Sequence, residues 1–145
     1  MGRRALRSLE AWKNDQGRKP LVLCGERQVG KTWLLQEFGR SHYEQVAYVN
    51  CQCYRSVASI FAGDLDPGRI LRGLAIAAGT TINPATTLVI VGEIQEAPRA
   101  LTSLKYFAEE RPDIHLAAAG SLLGDGTSVP LGGSAIFEEF RCGID

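Results

Sequence analysis

Apolar residues form two kinds of pattern along this chain: short continuous runs, and helical repeats between the runs. A continuous apolar run is typical of a strand in a parallel sheet that is buried on both faces. The pattern therefore predicts four strands. They lie at residues 21–24 (LVLC), 46–49 (VAYV), 87–91 (TLVIV) and 114–119 (IHLAAA).

Between these runs, apolar residues recur at helical spacing and predict four helices. Asp66 and Pro67 are typical of a helix start, and Gly79 is typical of a helix end. The four helices are a first one around residues 5–12, a second at 31–39 with Gly39 near its stop, a third between Asp66 and Gly79, and a fourth that Pro98 opens.

Strands that alternate with helices at this spacing favour an α/β fold with a mainly parallel sheet and right-handed crossovers. A weak fifth strand is expected near residues 134–137, within a glycine-rich end segment. Ligands of such sheets bind at the carboxyl ends of the strands. The segments that follow Cys24, Val91 and Ala119 should therefore meet at one edge.

Length and composition suit one domain, with 145 residues, 45% of them hydrophobic and 22% charged. The net charge is zero, although six of the first 19 residues are basic, against Glu10 and Asp15. Such a cluster on a short helix favours a solvated face over a nucleic-acid or lipid surface. Nucleic acid is therefore not indicated as a partner.

Cysteines and histidines show no spacing typical of a metal site or a disulfide framework. The four cysteines are expected to be reduced, and the two histidines lack ligand spacing. The start MGRRALRSLE has no apolar segment, and no run approaches 18 apolar residues. We therefore expect no membrane association and a cytoplasmic location.

One motif carries specific chemistry. Residues 25–32 read GERQVGKT, a full match to the phosphate-binding P-loop pattern GxxxxGK[ST], between a strand and a helix. Backbone amides would cradle phosphate oxygens, the lysine would reach the terminal phosphates, and the Thr32 hydroxyl would bind Mg²⁺. The alternative is a glycine turn that only caps a helix. The expected nucleotide-binding residues are Gly25, Glu26, Arg27, Gln28, Val29, Gly30, Lys31, Thr32 and Trp33.

Hydrolysis of a nucleoside triphosphate needs a second metal-holding group and a group that acts on water. In many such enzymes, these are an aspartate and a glutamate at the end of a buried strand. Here the run TLVIV ends in Gly92 and Glu93. The glutamate is in place, but the aspartate is absent.

The segments RQVGKTWLLQEF, DPGRIL, TLVIVGEIQEAPRALTSLKYF and AAGSLLG together resemble the bacterial and archaeal AAA-type ATPases that carry a DUF4143 domain. The resemblance covers about residues 7–124. It implies a P-loop NTPase three-layer sandwich with a sheet of four to five strands, and ATP and Mg²⁺ as cofactors. Gly92 stands at the family's Walker B aspartate, Glu93 matches its catalytic glutamate, and Ser121 matches its polar sensor.

Two departures from the family pattern shape the functional expectation. Glycine at position 92 should weaken metal binding and hydrolysis, while nucleotide binding survives through the P-loop. The chain also ends at Asp145, before the helical lid of the family, so adenine specificity and exclusion of water should weaken. We expect residues 1–124 to form the AAA-type domain and residues 125–145 a shortened segment without a separate domain.

Other interpretations remain open. They are an active ATPase with a substitute carboxylate, a truncated non-catalytic remnant that serves as a protein-interaction module, and a small-molecule kinase. Arg27 and Arg99 are candidate cations near the phosphates, with surface salt bridges as the alternative role. A neighbouring subunit of a homo-oligomer could supply such an arginine instead. No feature names a protein client.

Overall fold

The computed structural model describes residues 3–25, 31–52, 55–121 and 135–136. Within these ranges, helices and strands alternate along most of the chain. The helices are α1 (Arg3–Asn14), α2 (Lys31–His42), α3 (Arg55–Ile60), α4 (Pro67–Ala78) and α5 (Pro98–Glu110), with a 3₁₀ turn at Ile94–Glu96. The strands are β1 (Leu21–Gly25), β2 (Gln45–Asn50), β3 (Thr87–Gly92), β4 (His115–Ser121) and β5 (Ala135–Ile136).

The strands form one sheet in the order β2-β3-β4-β1-β5, and every neighbouring pair is parallel. All six residues of β3 are buried. This burial explains its unbroken apolar sequence, since a strand between two helical layers meets no solvent on either face. The predicted parallel sheet is confirmed, and its weak fifth strand pairs with β1 as a two-residue edge.

Alternate residues of the central strands face two separate cores, which gives the three layers that the resemblance implied. One core lies between the sheet and helices α3, α4 and α5, and contains Val89 and Val91 of β3. The other lies between the sheet and helices α1 and α2, and contains Leu88 and Ile90 of β3. We refer to these two sides as the α3–α5 face and the α1–α2 face.

Helix α4 begins and ends as its sequence predicts. The Asp66 carboxylate accepts a hydrogen bond from the Arg69 backbone N–H at 2.9 Å, and Pro67 occupies the first turn. Gly79 adopts a left-handed conformation (φ 73°) and donates its N–H to the Ala75 carbonyl at 2.9 Å. None of the helices that the structure describes is long and apolar enough to cross a bilayer.

The predicted stop of α2 near Gly39 is wrong, because the helix continues to His42. Gly39 instead allows the helix to lie close against the sheet. A Cβ added there would lie 2.5 Å from Val46 Cγ2 and 3.1 Å from Leu88 Cδ2. Gly39 therefore allows α2 to pack closely against the sheet. The short helix α3 was not predicted from the sequence.

Candidate functional site

The carboxyl ends of β1, β4 and β3 lie side by side at one edge of the sheet. Gly25, the last residue of β1, is in register with Ser121, the last residue of β4. On the other side of β4 lies β3, whose last residue is Gly92. The three strand ends from which these segments leave therefore lie at one edge, as predicted, while the residues that follow β1 and β4 (26–30 and 122–134) lie outside the described residues.

Helix α2 begins at this same edge. Its later part lies beside the starts of β2 and β3, where a Cβ at Gly39 would be 2.5 Å from Val46 and 3.1 Å from Leu88, so its first residue lies toward the carboxyl ends of the strands. The first turn of α2 carries no acidic residue, and the unpaired N–H groups of a helix start favour an anion. Helix α2 packs on the α1–α2 face through Leu34, Leu35 and Phe38.

Most of the predicted phosphate cradle lies outside the described residues. This applies to Glu26, Arg27, Gln28, Val29 and Gly30. For the flanking residues Gly25 and Lys31, only the backbone is described: one ends β1 and the other begins α2. Two further motif residues lie in the first turn of α2, where Thr32 is half-buried and Trp33 is 54% exposed.

At the end of β3, the chain changes direction at Glu93, which has φ 51° and ψ 48°. Among the described residues, it is the one non-glycine residue with a positive φ. This left-handed conformation costs about 1–2 kcal/mol for a residue with a Cβ. Fully buried Ile94 follows directly and anchors the 3₁₀ turn. Glu93 is half-buried, and its backbone at the strand end is strained.

Cys51 lies beside this turn, and the negative charge of the turn affects the pKa of its thiol. The Cys51 N–H donates to the Gly92 carbonyl at 2.9 Å, which places the end of β2 next to the end of β3. Burial, together with the carboxylates of Glu93 and Glu96, raises the pKa of the Cys51 thiol to about 12. The thiol is therefore protonated at neutral pH and is not poised as a nucleophile.

Gly92 is buried, and the space beside it is already filled. A Cβ at this position would lie 3.0 Å from both Cε1 and Oη of Tyr48, on the neighbouring strand β2. Normal carbon contacts are about 3.5–4.0 Å, so a side chain at position 92 would require Tyr48 to move. The sequence does not reveal Tyr48, because its place beside Gly92 depends on the register of β2 with β3, in which Tyr48 pairs with Ile90, two residues before Gly92.

The described part of this edge offers few ligands for magnesium. Position 92 offers no carboxylate, and the described ranges contain no cluster of three or more His, Cys, Asp or Glu residues that could hold a metal ion. Thr32 supplies a hydroxyl at the helix start, where oxygen ligands of Mg²⁺ are commonly found in P-loop proteins. A single hydroxyl does not make a magnesium site.

The side chain of Arg99 forms hydrogen bonds with backbone carbonyl groups. Its guanidinium donates from Nε to the Phe61 carbonyl at 2.9 Å and from Nη2 to the Gly63 carbonyl. The residue therefore connects the start of α5 to the loop after α3. The alternative role of a surface salt bridge is not what these contacts show, since both acceptors are backbone carbonyls.

Within the described ranges, both histidines contact residues outside the candidate site. His42 Nε2 lies 2.9 Å from the Glu10 carboxylate and connects α2 to α1. His115, the first residue of β4, lies 2.6 Å from the Tyr43 hydroxyl through Nδ1. Burial, followed by the charge of Arg18, lowers the pKa of His115 to about 4, so the ring is neutral at pH 7. Both histidines have structural contacts.

The chain matches one family of known proteins over most of its length. The family described as an AAA domain matches residues 17–129, which is more than half of the chain. This segment begins before β1 and includes the P-loop motif, Gly92, Glu93 and Ser121. No curated protein matches the chain at a significant level.

Two solved structures resemble the chain in fold. The ORC1 protein of Aeropyrum pernix in complex with DNA is 16% identical with a TM-score of 0.51, and the match covers 93% of this chain and 43% of that chain. PCH-2 of C. elegans is 16% identical with a TM-score of 0.48, covering 92% and 40%. This chain spans about two fifths of the length of each, with 43% and 40% covered.

Proposed function

The chain belongs to the AAA domain family, and from this premise we propose that it binds ATP at the carboxyl edge of its sheet and hydrolyses it weakly. The observation that carries the proposal is the position of GERQVGKT. Strand β1 ends at Gly25, the first residue of the motif, and α2 begins at Lys31. A phosphate-binding loop requires this order of strand, turn and helix.

The proposed roles follow the P-loop mechanism. Backbone amides of residues 25–30 would surround the phosphates, and Lys31 would neutralise the terminal phosphates. Thr32 would offer its hydroxyl to a metal ion, and Trp33 would flank the nucleotide. Glu93 would act on the attacking water, and Ser121 would contact the terminal phosphate. The register of Gly25 with Ser121 supports the last role, because it brings the ends of β1 and β4 together.

Weak hydrolysis follows from position 92. Magnesium, when bound, neutralises the β and γ phosphates and so lowers the barrier to their cleavage. Gly92 supplies no carboxylate for this purpose, and Tyr48 fills the neighbouring space. Most phosphate contacts of a P-loop come from its backbone and lysine, so nucleotide affinity depends less on residue 92.

The finer assignments are also part of the proposal. We place the chain near the AAA-type ATPases that carry a DUF4143 domain, with residues 1–124 as the nucleotide-binding domain. The DNA is bound by the Aeropyrum pernix protein. At 16% identity, the similarity of that protein to this chain shows the fold alone. We therefore propose neither a nucleic-acid ligand nor a protein client.

Isothermal titration calorimetry with ATP tests the proposal, with Lys31→Ala as the critical variant. Removing the lysine should weaken binding by roughly tenfold to a hundredfold, the equivalent of one or two charge-assisted hydrogen bonds. The matched control is Lys105→Ala, which removes an exposed lysine on α5 and should leave the affinity unchanged.

Tryptophan fluorescence provides an independent readout of the same binding event. Trp33 is 54% exposed directly after the motif, whereas Trp12 is 4% exposed and packs edge-on against His115. ATP should therefore change the emission mainly through Trp33. Absence of ATP binding by both methods in the folded protein would contradict the proposed function and favour a protein-interaction module.

A further inference from the structure

We propose that Tyr48 takes the place of the missing acidic side chain at position 92 and makes ATP binding at this edge insensitive to magnesium. This inference rests on the proposed function, because it assumes that the edge binds ATP. Tyr48 is the residue that determines whether the ATP affinity of the site depends on magnesium.

The register places Tyr48 and position 92 on the same side of the sheet. Side chains alternate along a strand, so position 92 points to the same side as Leu88 and Ile90. Both of these residues belong to the core on the α1–α2 face, and Tyr48 packs against that core from β2. Tyr48 is in register with Ile90, one alternation before the strand end.

From this position, the Tyr48 ring reaches toward the carboxyl edge. Its Cε1 and Oη atoms each lie 3.0 Å from the place where a Cβ of residue 92 would be, and Cζ lies 3.4 Å from it. The hydroxyl therefore lies beside the first atom that a side chain at position 92 would have. An aspartate cannot enter this space unless the ring moves.

The same face of the sheet is covered by the helix that begins the phosphate site. Leu34, Leu35 and Phe38 of α2 pack into the core that Tyr48 borders, and α2 begins at Lys31. A side chain at position 92 and the start of α2 therefore lie on one side of the sheet. Tyr48 lies on that side as well, between β2 and the strand end of β3.

The chemistry of a phenol differs from that of a carboxylate in two respects. A carboxylate accepts hydrogen bonds, carries a negative charge and is a preferred ligand of Mg²⁺. A tyrosine hydroxyl is neutral at pH 7 and is not among the preferred ligands of Mg²⁺. A tyrosine hydroxyl in place of a carboxylate removes a group that attracts the metal ion. It also removes a negative charge that repels phosphate. ATP binding should then gain little from magnesium.

Calorimetric titration with ATP, in Mg²⁺ and separately in EDTA, tests this inference through the ratio of the two dissociation constants. For the natural protein, we expect a ratio below about three, since uncoupled ligands do not change each other's affinity. The double variant Tyr48→Val/Gly92→Asp opens the space and adds the carboxylate, so its ratio should rise to about ten or more. Valine keeps the β-branched character that suits a strand.

Two further variants separate the ring from the new carboxylate. Gly92→Asp alone, and Tyr48→Phe/Gly92→Asp, both keep the ring that fills the space, and their ratios should stay below about three. A ratio of about ten or more in the natural protein or in Gly92→Asp alone would overturn the inference. A folded double variant whose ratio stays below about three would also overturn it.

Thermal unfolding tests the contact itself, even where a charged variant does not fold. The Cβ of Gly92→Ala would meet Tyr48 at 3.0 Å, so the change in melting temperature should be less favourable in the natural background than in the Tyr48→Val background. Equal changes in the two backgrounds would overturn the inference. Failure of the proposed function has a different signature, since the natural protein would then bind no ATP in either buffer.

Discussion

The β1–α2 junction and the β3–α5 junction both lead the chain from the carboxyl end of a buried parallel strand to a helix. The first carries a complete phosphate-binding motif with two glycines, a lysine and a threonine. The second has a buried glycine, a glutamate in a left-handed conformation and a neighbouring tyrosine in contact distance. On the proposed function, the first junction has the residues that phosphate binding requires, whereas the second lacks the carboxylate that efficient cleavage requires.

The two junctions also differ in what holds them in place. Helix α2 lies close to the sheet at Gly39, where there is no room for a Cβ. The β3 end is held instead by buried Ile94 on one side and buried Val91 on the other, with strain at Glu93 between them. We therefore expect substitutions to affect the first junction through packing and the second through the backbone.

Gly39→Ala should have the larger effect on stability. Overpacking against Val46 and Leu88 costs about 1–3 kcal/mol, while alanine recovers about 1 kcal/mol of helix propensity, so we expect net destabilisation. Chemical denaturation measures the change. ATP affinity should fall with it, because α2 carries the start of the phosphate site.

Val46→Ala provides the matched background for this substitution. It removes the Cγ2 atom that an added Cβ would meet at 2.5 Å, so the cost of Gly39→Ala should be smaller there. If Gly39→Ala is equally costly in both backgrounds, then close packing against β2 does not hold the first junction.

Glu93→Gly should have the smaller effect and the opposite sign. Glycine removes about 1–2 kcal/mol of left-handed backbone cost, and part of this gain is lost because glycine makes the unfolded chain more flexible. Stability in chemical denaturation should therefore be equal or slightly higher. ATP affinity should change by less than about threefold, while any phosphate release should fall.

Glu96→Gly is the control at the same turn. Glu96 is exposed and belongs to the 3₁₀ turn, so its replacement should lower stability by about 0.5–1 kcal/mol. A larger loss for Glu93→Gly than for Glu96→Gly would show that the Glu93 side chain, and not its backbone, holds the second junction.

Much of this fold could be predicted from sequence, because buried parallel strands are continuous apolar runs and their helices carry clear start and end signals. Asp66 and Gly79 illustrate this for α4, where both contacts match the prediction. Gly39 illustrates the limit, since a glycine in a helix can mark an end or a close approach. Only the position of the neighbouring strand distinguishes the two.

The candidate site, too, could be predicted only in part from the sequence. The motif at residues 25–32 and the glycine at position 92 are visible in the sequence, and their arrangement at one edge follows from the parallel topology. The role of Tyr48 is not visible there, because it lies 44 positions before Gly92 and the contact depends on the register of β2 with β3. The contacts of Arg99 with two backbone carbonyls likewise follow from tertiary packing.

The central claim is that this AAA domain binds ATP without cleaving it efficiently, and steady-state phosphate release at saturating ATP and magnesium tests it most directly. We predict a turnover below about 0.1 s⁻¹, two orders of magnitude under the typical enzyme value of about 10 s⁻¹. The rate should be measured on protein whose ATP binding has been verified by calorimetry. A turnover at or above about 0.1 s⁻¹ that disappears in Lys31→Ala would contradict the account.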